Sequence, residues 1–340
     1  MGSIVFPPGV LADQLHELVG HKAGLAASLP DLKEFLSGTT HVDLLTDSEE
    51  SAIRLRAEDF DDLYYTVLHR VGHTEVKSRG ILDVVDLGLK QAEKYGLEFA
   101  EKLSDIHHRE YWKILESRKP NDHTAIDPLP ILQAARAELG KKGEAAMVEL
   151  LLTMNAAVSL SPHSMQRFIE WQDVIPLDEL FKRTKGKVAH GTYLDQRLID
   201  FLSVNQGKLG EIHWRKFEEL TAEHFHRLGY GVELGPGQND DGVDLRLLTP
   251  DLGDGTKRDL QIVQCKRTAG KVDKLVVKGL SADVQHAGAA LGVLVTSADL
   301  TPGAHATILQ RGYPIEAVNG EKVGEWITAM RTPGTGIVRV

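Results

Sequence analysis

Three short stretches beyond residue 210 carry side chains of the kinds that phosphodiester hydrolysis needs. Gly237-Gln238-Asn239-Asp240-Asp241-Gly242-Val243-Asp244-Leu245 is a polar loop entering an apolar run. Ile262-Val263-Gln264-Cys265-Lys266-Arg267 is an apolar run that ends in polar residues, and Phe217-Glu218-Glu219-Leu220 precedes both on a stretch with helical periodicity. Strand side chains alternate faces, so Gln264 and Lys266 project to one side and Cys265 to the other. Asp244 lies 20 residues before Gln264, with the turn formers of Pro250 to Thr256 between them. A hairpin closing there sets Asp244 beside Gln264 and Lys266. A carboxylate, an amide oxygen and a backbone carbonyl, that of Cys265, are hard oxygen donors suited to Mg²⁺. An ammonium beside them can orient water and stabilise developing negative charge. Glu218 completes the set, directly or through a metal-bound water, with neighbouring Glu219 the alternative; Asp240 and Asp241 flank it.

The elements that must position these groups follow from periodicity. After Asn205-Gln206-Gly207-Lys208-Leu209-Gly210 a helix is expected from about 212 to 228. Short β-rich runs follow at 231–234, 243–248, 260–266, 291–296 and 314–317, with helices at 276–290 and 301–311. That order predicts an α/β domain with a mixed central sheet flanked by helices. The first two hundred residues read as mainly α-helical. Apolar residues recur at threes and fours over 52–71 and 81–115, and shorter helical stretches fall around 131–139, 145–157 and 194–202. Lys182-Arg183-Thr184-Lys185-Gly186-Lys187 is a basic cluster that reads as a solvated loop.

At the three chemical stretches the sequence resembles the Mrr-like restriction endonucleases of the PD-(D/E)xK nuclease superfamily. The family pattern appears as Phe217-Glu218, Leu228-Gly229-Tyr230, Gly242-Val243-Asp244 and Gln264-Cys265-Lys266. It continues in Gly292-Val293-Leu294-Val295-Thr296-Ser297, Pro302-Gly303-Ala304 and Gly312-Tyr313-Pro314-Ile315. The resemblance covers about residues 212–330 and implies a restriction-endonuclease-like fold. It makes Asp244 the principal metal ligand, Lys266 the catalytic lysine and Glu218 the helix carboxylate, with Gln264 standing where many members have Glu or Asp. It further implies Mg²⁺ (Mn²⁺ substituting), double-stranded DNA as substrate, a prokaryotic source, and a role in restriction or defence against foreign DNA. Double-strand cleavage needs two such sites, so a homo-oligomer, a dimer or larger, is expected.

Composition bounds the rest. With 340 residues, 42% of them hydrophobic, the chain can build more than one core. The expected division is a helical regulatory, oligomerisation or sensor domain over 1–207, the nuclease domain over 211–330, and a tail over 331–340. One cysteine excludes an internal disulfide and a cysteine-cluster metal site. No unbroken apolar run reaches membrane-spanning length and no secretory signal is read, so the expected location is cytoplasmic. The formal charge of −10 argues by itself against nucleic acid. Its distribution weakens that argument. Residues 1–210 hold 24 Lys and Arg against 32 Asp and Glu, a net of −8, which leaves −2 for the remainder. That net of −8 disfavours the helical part as the main DNA-binding surface; it is expected to gate the nuclease through a ligand or partner, or to assemble it. A catalytically inactive DNA-binding module and an effector silent until activated remain the competing readings.

Overall fold

The computed structural model describes residues 2–119, 126–165, 169–171, 173–184, 186–237, 242–251, 259–332 and 337–338. Its elements in chain order are β1 (Ser3–Phe6), α1 (Val10–Ala23), β2 (Leu25–Ala26), α2 (Leu29–Leu36), α3 (His41–Glu50), β3 (Ile53–Arg56), α4 (Ala57–Arg70), α5 (Ile81–Tyr95), α6 (Leu97–Ser117), α7 (Leu129–Leu160), β4 (Ile169–Glu170), β5 (Ile175–Pro176) and α8 (Gln196–Val204). There follow α9 (Trp214–Arg227), β6 (Gly231–Leu234), β7 (Leu245–Leu248), β8 (Leu260–Lys266), α10 (Lys274–Ala287), β9 (Leu291–Thr296), α11 (Pro302–Arg311), β10 (Ile315–Val318), α12 (Gly320–Met330) and β11 (Ile337–Val338).

The C-terminal part is a five-stranded mixed sheet in the order β10-β9-β8-β7-β6. β6, β7 and β8 form an antiparallel meander, whereas β8, β9 and β10 run parallel through the crossover helices α10 and α11. The expected mixed sheet flanked by helices is therefore present. β8 is central, so its side chains are covered on both faces. Val263 faces a core shared with Phe217, Leu220 and Ile327, while Ile262 faces a second core with Val277, Leu280 and Leu294. Complete burial of each such aliphatic side chain contributes about 1.5–3 kcal/mol. The helices begin where the sequence supplies caps: His213, Asp273, Thr301 and Asn319 accept from backbone amides of α9, α10, α11 and α12.

The N-terminal part is mainly helical, with two departures from the sequence reading. Ile53 and Leu55 do not open a helix; they alternate in β3, which pairs antiparallel with β1. The helical run over 81–115 breaks at Gly96, whose φ of +93° is unfavourable for an L side chain, and becomes α5 and α6. By length and composition α7 is long and apolar enough to cross a membrane. It is interrupted at Gly140 (φ +69°, ψ −165°), and Ala146 and Met147 pack with Leu103 and Ile106 in a small core of its own.

The larger core runs without interruption from Leu11, Leu15, Tyr64 and Leu68 through Leu198, Phe201 and Leu209 to Phe217, Val263 and Ile327. The C-terminal segment adds polar ties to the same region. Thr332 N donates to Oδ1 of buried Asp200 at 3.0 Å, the Arg331 guanidinium donates to the carbonyl of Thr74, and β11 pairs with β4.

Candidate active site

Asp244 stands where β7 begins, and its backbone is tied on both sides. Its amide donates to the Val263 carbonyl (2.9 Å), and its own carbonyl accepts from Gly235 N (2.8 Å). Oδ2 accepts a 2.6 Å hydrogen bond from Cys265 N, which holds the buried carboxylate against the end of β8. Gly242 makes the approach possible. Its φ is +84°, and a Cβ there would sit 3.2 Å from the Gln264 amide nitrogen.

Gln264 is buried beside this loop. Its Nε2 donates to the Gly242 carbonyl at 2.9 Å, while its Oε1 is buried without a hydrogen-bond partner among the described residues. A buried acceptor left unsatisfied costs on the order of 1–3 kcal/mol, so this oxygen is a place where a cation is electrostatically wanted. Two residues on, half-buried Lys266 ends the strand, and its Nζ has no ion-pair or hydrogen-bond partner among the described residues.

Cys265 points the other way. Its sulfur lies 3.6 Å from Thr221 Oγ1, and burial pushes the thiol well above its ordinary range, which disqualifies it as a nucleophile. Its backbone serves the site instead. Val263 turns its carbonyl to Asp244, and the period of two turns the N–H and carbonyl of Cys265 toward the same edge, beyond the last β7 pair.

Helix α9 contributes the second carboxylate. Glu218 is buried, and it is raised to about 7 by burial, against the Arg215 bond, with the adjacent negative charge of Asp244 pushing the same way as burial. The two acids are thus neighbours. Glu219 faces elsewhere: it accepts from Thr184 Oγ1 at 3.1 Å and stands 3.9 Å from Arg215 Nε. Of the two candidates, Glu218 is the one the fold sets beside Asp244. Asp240 and Asp241 lie outside the described residues.

Arg215 is the residue that sequence reasoning missed. Its Nη1 donates to Glu218 Oε2 at 2.7 Å and its Nη2 to the Gly235 carbonyl at 2.8 Å, joining the helix carboxylate to the loop that leads to Asp244. The i, i+3 spacing of Arg215 and Glu218 on α9 was the available signal.

These groups fit a hard divalent cation. Two adjacent buried carboxylates, an orphaned amide oxygen and a strand-end carbonyl are all oxygen donors, and the mutual repulsion of the acids is what a cation relieves. Among the described residues no group of three or more His, Cys, Asp or Glu side chains forms a metal cluster, so the set relies on amide and main-chain oxygens. His69 on α4 and His73 just beyond it, four residues apart, do not form one either. His69 Nδ1 lies 3.0 Å from the Thr74 carbonyl, and half-buried His73 stands past the helix end, pushed down to about 4 by desolvation.

Residues 209–327 match the family model Mrr_cat, described as restriction endonuclease. Two solved structures are similar. One is the DNA modification-dependent restriction endonuclease AspBHI, 20% identical, covering 34% of this chain and 32% of that one, with a TM-score of 0.29. The other is the MspJI restriction endonuclease in complex with a 27-mer oligonucleotide, 19% identical, covering 62% and 43%, with a TM-score of 0.28. The chain thus spans less than half the length of either. No curated protein matches it.

Proposed function

We propose that the chain is a metal-dependent DNA endonuclease that hydrolyses phosphodiester bonds. The observation that carries this reading is Glu218 set beside Asp244 at the start of β7, with Gln264 Oε1 unsatisfied among the described residues and Lys266 two residues further along β8. Asp244, Gln264 Oε1, the Cys265 carbonyl and Glu218 would hold Mg²⁺ or Mn²⁺. Such an ion supplies Lewis-acid stabilisation of the phosphoryl oxygens and an acidified water. Asp244 is fixed by three backbone hydrogen bonds and so presents its charge without reorganisation. Lys266, with no ion pair among the described residues, is available to orient the attacking water and meet the charge that develops on the phosphate. Arg215 keeps Glu218 turned to Asp244 rather than to solvent.

The same reading makes the protein a prokaryotic restriction or anti-phage enzyme working in the cytoplasm on double-stranded DNA, as a dimer or larger assembly. A gated effector is favoured by one observation: the core that supports α9 is continuous with the helical module, so a ligand or partner protein bound there has a packed route to the site. The division into residues 1–207 and 211–330, with 331–340 as a tail, is the corresponding assignment of roles.

Plasmid cleavage tests the reading, run across Mg²⁺ and Mn²⁺ on methylated and unmethylated DNA, with Lys266→Ala alongside. Metal-dependent cleavage lost in the variant is the expected result. Cleavage unchanged in the variant removes Lys266 from the site. Salt-dependent DNA binding with no cleavage under any metal would make the chain a binding module.

A further inference from the structure

The basic segment before the nuclease is not a free loop. His213 N, at the start of α9, donates a 2.7 Å hydrogen bond to the Phe181 carbonyl, and Thr184 Oγ1 bonds to Glu219 of the same helix. Between these two anchors stands Arg183, exposed and without an ion pair among the described residues. From the other side Arg267, which directly follows Lys266, reaches across to donate to the Gly210 carbonyl at 2.6 Å, three residues before His213. Its guanidinium also meets no carboxylate among the described residues. Burial and the charges of Arg183, Arg267 and Lys216 together push the His213 imidazole down.

The surrounding charges do not cancel this pair. Lys182 is already taken by Asp178 and Glu179, and Lys216 is buried. Glu219 senses Arg183 but is buried and engaged by Thr184. Holding two exposed guanidinium groups about one histidine, with no carboxylate paired to either among the described residues, is unfavourable in the isolated protein. It is repaid by an anion, and a planar five-donor fork suits a phosphate.

We infer that Arg183 and Arg267 form a clamp for the DNA backbone, seating duplex phosphates at the end of β8 next to Lys266. This rests on the endonuclease reading and adds to it that the segment leading out of the helical module supplies part of the DNA surface.

The test is the salt dependence of binding of the full chain to a fluorescein-labelled 30-mer duplex in EDTA. Each phosphate contact contributes about 0.9 to the slope of log K against log[salt]. Arg183→Gln, at an exposed position with no ion pair among the described residues to lose, should flatten the slope by about 0.9. Arg183→Gln with Arg267→Gln should flatten it by about 1.8, and the double Lys variant should restore most of it. Slopes equal to the wild type, or a wild type with no salt-dependent binding, overturn the clamp. Wild-type plasmid cleavage in Mn²⁺ with unchanged slopes would overturn the clamp alone; its absence would remove the endonuclease reading as well.

Discussion

The backbone N–H of Cys265 holds the carboxylate of Asp244 at 2.6 Å, so one strand both carries Gln264 and Lys266 and fixes the acid between them. Asn at 244 keeps the acceptor for that N–H but not the charge. Asp244→Asn should lose at least about a hundredfold in cleavage rate. In EDTA its Tm should equal or exceed that of the wild type, because one of two adjacent buried acids is gone. A large drop in Tm would show that Asp244 serves folding first.

A divalent cation that binds only the folded site stabilises it by mass action. At about 100 times its Kd the gain is ~2.7 kcal/mol, enough to raise Tm by several degrees. Titration of Mg²⁺ or Mn²⁺ in a thermal melt should show this rise in the wild type and not in Asp244→Asn. A flat titration of the wild type would count against the oxygen donors as a metal site.

Lys266 and the oxygen donors are separable. Lys266→Met should reduce cleavage by roughly 10²–10³-fold. It should leave the metal-dependent rise in Tm intact, since an ammonium ligates no cation. Loss of that rise together with activity would mean that Lys266 shapes the site instead of acting in it.

Asp200 carries a pH signature outside the site. Burial raises its carboxyl to about 6, opposed by the Gln196 and Thr332 hydrogen bonds. The folded form therefore holds the proton more tightly than the unfolded one, and stability falls as pH rises from about 4 through 6. Asp200→Asn keeps both hydrogen-bond acceptances without a charge. Its Tm relative to the wild type should climb over that window and level off above pH 7. A difference independent of pH would sink this assignment.

The C-terminal sheet and its helices were legible because their signals are local. Alternation over Ile262 to Lys266, the glycine before Val243-Asp244 and the apolar run at Leu291 each dictate an element with little help from elsewhere, and their order implied the sheet. Contacts between distant residues were not legible. Arg215 gains its meaning from the Gly235 carbonyl, and Arg183 from Arg267, far along the chain. Ile53 and Leu55 fit a helical spacing as well as an alternating one, and only pairing with Ser3–Phe6 decides between them. The choice between Glu218 and Glu219 depended likewise on which face of α9 meets β7.

The unbroken core across residue 210 also bears on inheritance. A fragment cut at that point would expose to water the apolar face of α12, with Ile327, against which α8 packs in the shared core. Such a fragment would tend to associate through that surface rather than work alone. Transfer of the C-terminal sheet to a new protein would therefore have to bring the covering segments with it. The α5–α7 bundle, with its separate core, is the part that could be exchanged while leaving the catalytic frame closed.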